Sequence, residues 1–543
     1  MHVSRRGLFQ AGAVAGLGAA GFAVPLGGAV SGRSASTLRD TNFPRPYAAP
    51  FVRPPVLEPY ERTIGTDGKP LHKFEVTQTA GVATIVRGGL VTPVLGYNGV
   101  FPGPTIHVDR GTRAELRVRN QLPIVHPQWG YKMDTSTHLH GSASLPQFDG
   151  YANDVTFRNY KKTYKYPNLQ PARTLWYHDH AVHHTAQNAY SGLAAQYLLH
   201  DDAERELLPQ GDFDVPVTVT DAMFDSSGRL AYDDNTHSGL WGDVVLVNGV
   251  PWPVMRVQRR VYRFRILNAS ISRSYRFTLS NGAPITVVAT DGGLMPVAQQ
   301  VGSYRHAGAE RYEVLIDFTK YAPGTRIELR NLSNDNNRDY THTGKVMAFD
   351  VTDEPVTTTL PDGRPDPTWN RIPTTLVPSD VMSRKASESL RTRRLRVKKD
   401  SSGVWTIGEQ TWQEIVDSSF TKVFANPGLG DTEIWEVENS SGGWFHPVHL
   451  HLVDFQILSR NGRAPFTYER GPKDVVYVGE NETVRLLMKF GPHRGKYMIH
   501  CHNLPHEDHD MMSQFSVGLT AGEVDENDPI EAARCVPDDD TDD

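Results

Sequence analysis

An all-β protein of several domains is what this sequence predicts. Apolar and polar residues alternate at strand period in short runs, and Gly and Pro punctuate those runs. The length, 543 residues, also exceeds what one core fills, because single cores stop growing near ~250–300 residues. From Thr92 the pattern is clear. Residues 94–100 lead through Pro102, Gly103 and Pro104 into 105–108, and then into 114–119. His107 falls in the second of these runs, with no matching partner in the sequence, and reads as structural. Another β stretch extends from about Val215 to Val351 and holds alternating runs at 217–220, 262–267 and 311–316. Residues 354–390 read as a linker, in a region rich in Pro, Thr and Asp. The basic run from Arg391 to Lys399 could suggest a polyanion site. Leu395 and Val397 alternate with its charges, however, which fits a solvated hairpin strand turning at 400–403.

The two ends read differently. Arg5 and Arg6 precede a Gly- and Ala-rich apolar run, so residues 1–31 resemble a twin-arginine signal peptide. That implies export through the twin-arginine translocation machinery to a secreted or periplasmic location. An uncleaved anchor is the alternative, although the Gly residues and Pro25 weaken the run as a spanning helix. No other stretch approaches the ~18 apolar residues of a membrane span. Residues 521–543 close on an acidic tail that reads as disordered and solvated. A net charge of −6 gives no reason to expect nucleic acid as a partner. With only two cysteines in the chain, no disulfide framework holds the fold.

Chemistry concentrates at residues 497–512. An apolar run makes 498–502 a strand, so His500 and His502 face one way and Cys501 the other. His506 and Met511 follow at loop spacing and can return to the Cys501 side. Two His, one Cys thiolate and a weak axial Met form the ligand set of a blue-copper centre. Three further motifs carry paired imidazoles: His138 with His140, His178 with His180, and His446, His449 and His451. A lone His-x-His pair is a weak signal, but four clusters, two early and two late, are a strong one. Zinc is the rival metal, yet structural zinc sites use four ligands, fewer than this inventory offers.

In this order the four motifs resemble those of the multicopper oxidase (laccase) family, on the side of its bilirubin oxidases, spore-coat laccases and phenoxazinone synthases. Phe101-Pro-Gly-Pro-Thr105, Thr174-Leu-Trp-Tyr-His-Asp-His180, Val247-Asn-Gly-Val-Pro-Trp252, Tyr262-Arg-Phe-Arg-Ile266 and Gly443-Trp-Phe-His-Pro447 carry the likeness, together with 500–512. It covers roughly residues 45–520. The resemblance implies three cupredoxin-like Greek-key β-barrel domains at 45–205, 206–353 and 391–520. The middle one would carry no copper motif, spacing the other two apart and helping to shape a substrate cleft. It implies four copper ions. His446, Cys501, His506 and axial Met511 would hold a mononuclear blue site. His138 and His449 would hold the single copper of a trinuclear cluster, and His140, His178, His180, His451, His500 and His502 its coupled pair. The implied reaction takes four electrons from a small-molecule donor and reduces O2 to two waters.

The same resemblance marks Asp149 and Glu507 as proton-relaying carboxylates, with Asp508 and Asp510 recommended only by proximity. Trp444 matches the bilirubin-oxidase pattern and implies a substrate edge. His183 and His184 belong to no motif and read as surface or supporting residues. Phenolic, aminophenolic and tetrapyrrole donors all fit. A metal-ion oxidase for Mn(II) or Cu(I) is an alternative, but the chain holds only 11 Met and no Met-rich insertion, which counts against a cuprous-ion specialist. A copper-storage protein would need no Cys501 bridge. A structural relative would lack the ligands, and here every position is filled.

Overall fold

The computed structural model describes residues 35–520 and 522–538; the signal reading of 1–31 and the last five residues of the tail lie outside the described residues. The described chain is all-β, with four short α-helices among its strands. Six sheets form three two-sheet barrels whose strand orders are non-sequential, as Greek-key crossovers require. Each barrel closes on its own apolar cluster, around Phe74, Leu116 and Tyr197 in the first, Phe264, Val314 and Phe349 in the second, and Trp435, Leu486 and Phe515 in the third. These are cupredoxin-like barrels.

Two of the sheets matter most. One is four-stranded, in the order Ile106–Asp109, Ala194–His200, Arg173–Asp179, Thr137–His140. The other orders Val475–Val478, His446–Leu450, Gly495–Cys501 and Met512–Val517. Each of the four His motifs starts on a strand of one of these sheets. Antiparallel register sets His138 opposite His178 in the first sheet, and His449 opposite His500 in the second. His180, His451 and His502 stand one residue beyond their strand ends. The period-2 rule therefore aims these pairs correctly although the ladder has already stopped.

The basic run is the strand Thr392–Lys399, joined to Trp405–Ile407 by the expected turn. Only Leu395 and Val397 of its side chains are buried. Arg393 pairs with Glu433 and Arg394 with Glu436, so its charges are matched within the sheet. The segment read as a linker is pinned on both sides: Gln456 Nε2 donates to the carbonyls of Val381 and Arg384, and Arg260 pairs with Asp366.

The tail differs from expectation. Instead of a disordered, solvated end, its described part returns to the first barrel. Val536–Pro537 pairs with Tyr160 and Lys161, while Arg119 Nε and Gln121 Nε2 donate to Asp538 at 2.7 and 2.9 Å. Asp538 finds the cations Arg119 and Lys161 on the first barrel, while Glu523 and Asp528 pair with Arg494 and Lys496 of the third. Cys535 is free and half-buried within this returning strap.

Candidate metal centre

Ten imidazoles and one thiol converge where the first and third barrels meet, each at most 1% exposed. In one group, Cys501 Sγ lies 3.4 Å from His446 Nδ1 and 3.8 Å from His506 Nδ1, and the two nitrogens are 3.3 Å apart. The centre of such a triangle is about 2.0 Å from each corner, close to metal–nitrogen and metal–sulfur bond lengths. Burial pushes the Cys501 thiol well up and the His446 imidazole down to about 3. Without a cation the three groups would thus be neutral and crowded. A metal that takes up the thiolate resolves both problems, so the donors fit copper.

The chain after Cys501 is a short helix, Leu504–Asp508, rather than the loop the spacing suggested. Pro505 starts it, and the Met511 N–H closes onto the His506 carbonyl at 2.9 Å. The Met511 carbonyl in turn accepts from the Cys501 N–H at 3.0 Å. Met511 packs in the same core as Cys501, whereas Met512 packs with Tyr151, Trp412 and Met498. Trp444 is half-buried, its ring 5.4 Å from that of His506.

The remaining eight imidazoles form three overlapping groups, the first of them His138, His140 and His449. His138 Nδ1 donates to the Asp149 carbonyl, and His449 Nδ1 to the Asp474 carbonyl at 2.9 Å. That leaves both Nε2 atoms buried without a hydrogen-bond partner. His140, His178 and His502 make the second group. In the third, His180 Nε2 and His451 Nε2 each approach His500 Nε2 at 3.2 Å. Burial, and repulsion from neighbouring rings, hold His138, His140, His449, His451 and His502 well below the ordinary imidazole range, so their lone pairs are free for a metal. Partnerless lone pairs converging in a sealed site are the donor chemistry a metal cluster needs.

Both singled-out carboxylates touch these rings. Asp149 Oδ2 accepts from His451 Nδ1 at 2.7 Å, while its backbone carbonyl holds His138. Gly150 permits this approach: a Cβ there would lie 2.5 Å from the Thr137 carbonyl oxygen, and its φ is +78°. Burial raises the Asp149 carboxyl well above its usual range. Glu507 Oε2 lies 2.7 Å from His500 Nδ1, and Oε1 3.5 Å from His180 Nδ1. Burial pushes Glu507 up too, but the His500 and His180 rings outweigh it and hold the group down. Asp508 instead accepts from the N–H groups of Thr185 and Ala186, and Asp510 from that of Gln413. His183 Nδ1 bonds the Asp508 carbonyl, and His184 stacks on Tyr131. His107 does have a partner: its Nδ1 lies 3.1 Å from His200 Nε2.

Several supporting residues gave no sequence signal. Asp474 Oδ1 lies 3.1 Å from His140 Nε2 and accepts from Arg311 Nη1 at 2.7 Å. Arg311 comes from the middle barrel, which therefore supplies a side chain behind the His140 ring. The Trp405 ring stands 4.0 Å from that of His506, and Ser441 Oγ lies 2.9 Å from His446 Nε2. Trp405 sits on the strand after the predicted hairpin turn, the one feature that could have pointed to it. Arg311 opens the alternating run at 311–316, which gave its strand but not its role, and Asp474 belongs to no local pattern.

Models of the multicopper oxidase family match residues 79–204, 176–344 and 399–520. The chain is 38% identical to bilirubin oxidase from Albifimbria verrucaria over 490 residues, covering 87% of this chain and 81% of that one. It is 33% identical to a laccase from Bacillus subtilis over 499 residues, covering 82% and 94%. Among solved structures, the McoA multicopper oxidase from Aquifex aeolicus superposes with a TM-score of 0.72 at 28% identity, covering 86% of this chain and all of that one. Buried donors of the copper-binding kind, and a likeness running through all three barrels, make this chain a member of the multicopper oxidase family, a copper-binding oxidase of the laccase and bilirubin-oxidase kind.

Proposed function

We propose that the chain binds four copper ions and couples four one-electron oxidations of an organic donor to the reduction of O2 to two waters. His446, Cys501, His506 and Met511 would hold a mononuclear copper. His138 and His449 would hold the single copper of a trinuclear cluster, and the other six imidazoles its pair. The observation that carries this reading is Cys501 standing between His500 and His502 in sequence, its sulfur in one buried donor set and its neighbours in the others. When bound, copper supplies the one-electron redox steps and the chemistry of O2.

The chain supplies the rest. Cys501 joins the donor sets by a continuous bonded path from sulfur through backbone to imidazole. Asp149 Oδ2 orients His451, leaving Oδ1 buried without a hydrogen-bond partner. Burial raises this carboxyl, and Oδ1 is the atom free to pass a proton toward oxygen. Glu507 holds His500 and His180 in place and draws protons toward the same site. Trp444 forms the donor edge beside His506, and the exposed Gly442 and Gly443 leave it accessible. Similarity to bilirubin oxidase supports a tetrapyrrole or phenolic donor there. The domain limits 45–205, 206–353 and 391–520 and twin-arginine export belong to the same reading. The test is oxygen uptake by copper-loaded protein with a panel of organic donors. Stoichiometric reduction of O2 to water supports the reading, and absence of uptake with every donor refutes it.

A further inference from the structure

A second cluster of metal-binding side chains lies outside the copper sites. His237 Nδ1 is 2.9 Å from Asp234 Oδ2, and His509 Nε2 is 3.6 Å from the same oxygen. The two imidazole rings stand 3.1 Å apart between centroids. The side chains of His237 and His509 are 49% and 38% exposed, so the cluster opens to solvent with room for further ligands. Two imidazoles and one carboxylate on an open face are the donor set of a divalent first-row transition-metal site.

The backbone beneath it is unusual. Asn235, Thr236 and His237 are left-handed in succession, with φ of 51°, 58° and 61°, and Asp510 beside His509 has φ 76°. Left-handed backbone is uncommon at a non-Gly residue and least expected at a β-branched one such as Thr236. It persists where the surroundings over-determine it, commonly at ligand clamps and functional sites. Here Asp234 O accepts from Ser238 and Gly239, and Arg338 Nη1 donates to Asn235 Oδ1. These bonds hold the loop with His237 beside His509.

The same loop touches the mononuclear donors. The Ser238 carbonyl accepts from His506 Nε2 at 3.0 Å, and the His237 carbonyl accepts from Trp405 Nε1 at 3.1 Å. We propose that Asp234, His237 and His509 bind a divalent transition-metal ion, and that an ion there slows delivery of electrons from organic donors at His506. The ion ties the 234–238 loop to the segment after His506 and adds positive charge beside the donor edge. The rate effect rests on the reading of Trp444 and His506 as the donor edge; the binding site does not.

The probe is zinc, which has no redox chemistry and does not outcompete copper for the buried ligands. Copper-loaded protein, stripped of loosely held metal by EDTA, is dialysed against Zn2+. One zinc per chain beyond the copper is expected for the wild type. At least tenfold weaker binding is expected for His509→Ala and for His237→Asn, which keeps a residue tolerant of positive φ. Blue absorption and copper content, read in parallel, establish that each variant retains its centres. Zinc should also lower the wild-type rate of donor oxidation with the same midpoint, and leave each variant's rate as it is without zinc. Equal zinc binding by all three proteins overturns the site. Zinc binding by the wild type with no fall in rate overturns its coupling to His506, while leaving the oxidase reading standing.

Discussion

Cys501 and Met511 show how much depends on single side chains. The axial group of a blue site adjusts its potential, so Met511→Gln should lower the mononuclear potential in a redox titration. Activity should fall most with the donors hardest to oxidise, and an unchanged potential would exclude Met511 as the axial ligand. The family spacing selects Met511 over the adjacent Met512, and the fold places only Met511 in the core with Cys501. The carboxylates give a second prediction at this scale. Asp149→Asn and Glu507→Gln should keep the copper and the blue colour but slow reoxidation by O2, by on the order of 100-fold or more. Stopped-flow reoxidation at the wild-type rate in both variants would show protons arriving by another path. Asp149 and Glu507 were found through family resemblance. Asp474 was not, because a buried aspartate behind a ligand histidine has no sequence signature until two distant segments meet.

Among the elements, those written as strict alternation were the legible ones. Period 2 gave the opposed faces of His500 and Cys501, three strands of the first barrel between Thr92 and Asn120, and the strand that ends at Lys399. The helix Leu504–Asp508 was not legible, because five residues opening on Leu-Pro are too short to show a 3.6-residue period. The C-terminal strap was misread for a different reason: composition describes a segment in isolation, and Asp538 is met by Arg119 and Lys161 of the distant first barrel. Removing residues 522–543 deletes the pairing with Tyr160 and Lys161 and the Asp538 contacts to Arg119 and Gln121. A loss on the order of 1–3 kcal/mol is expected, from lost charge-assisted hydrogen bonds. Thermal unfolding checks it: a lower midpoint with copper content unchanged is the expected result, and an unshifted midpoint would mean the strap is only draped on the surface.

The whole molecule is held around its centre by buried charge as well as by apolar cores. Arg311 crosses from the middle barrel to Asp474 behind His140 and His449. Arg311→Leu leaves that carboxylate buried without its cation and should cost on the order of 3–5 kcal/mol, as broken buried pairs do. It should also weaken copper retention, read by metal analysis after dialysis. Glu469, clasped by Arg460, is buried, which pushes it up, but the guanidinium more than offsets this and holds it below 4.5. Its pKa is thus lower in the folded than in the unfolded chain. The stability it contributes is complete above about pH 4.5 and is lost as pH falls through the folded value. Melting midpoints below pH 4.5 should therefore drop less steeply in Glu469→Gln than in the wild type, and parallel curves would contradict the pairing.

The central claim is that one cysteine joins two kinds of copper site, and the most direct measurement is copper per chain, with the visible spectrum, in wild type and Cys501→Ser. Four coppers and a blue protein are expected for the wild type. The variant should be colourless and hold about three, because His500 and His502 still face the other imidazoles. Predominant zinc in the wild type, or a Cys501→Ser variant that stays blue, would contradict the account.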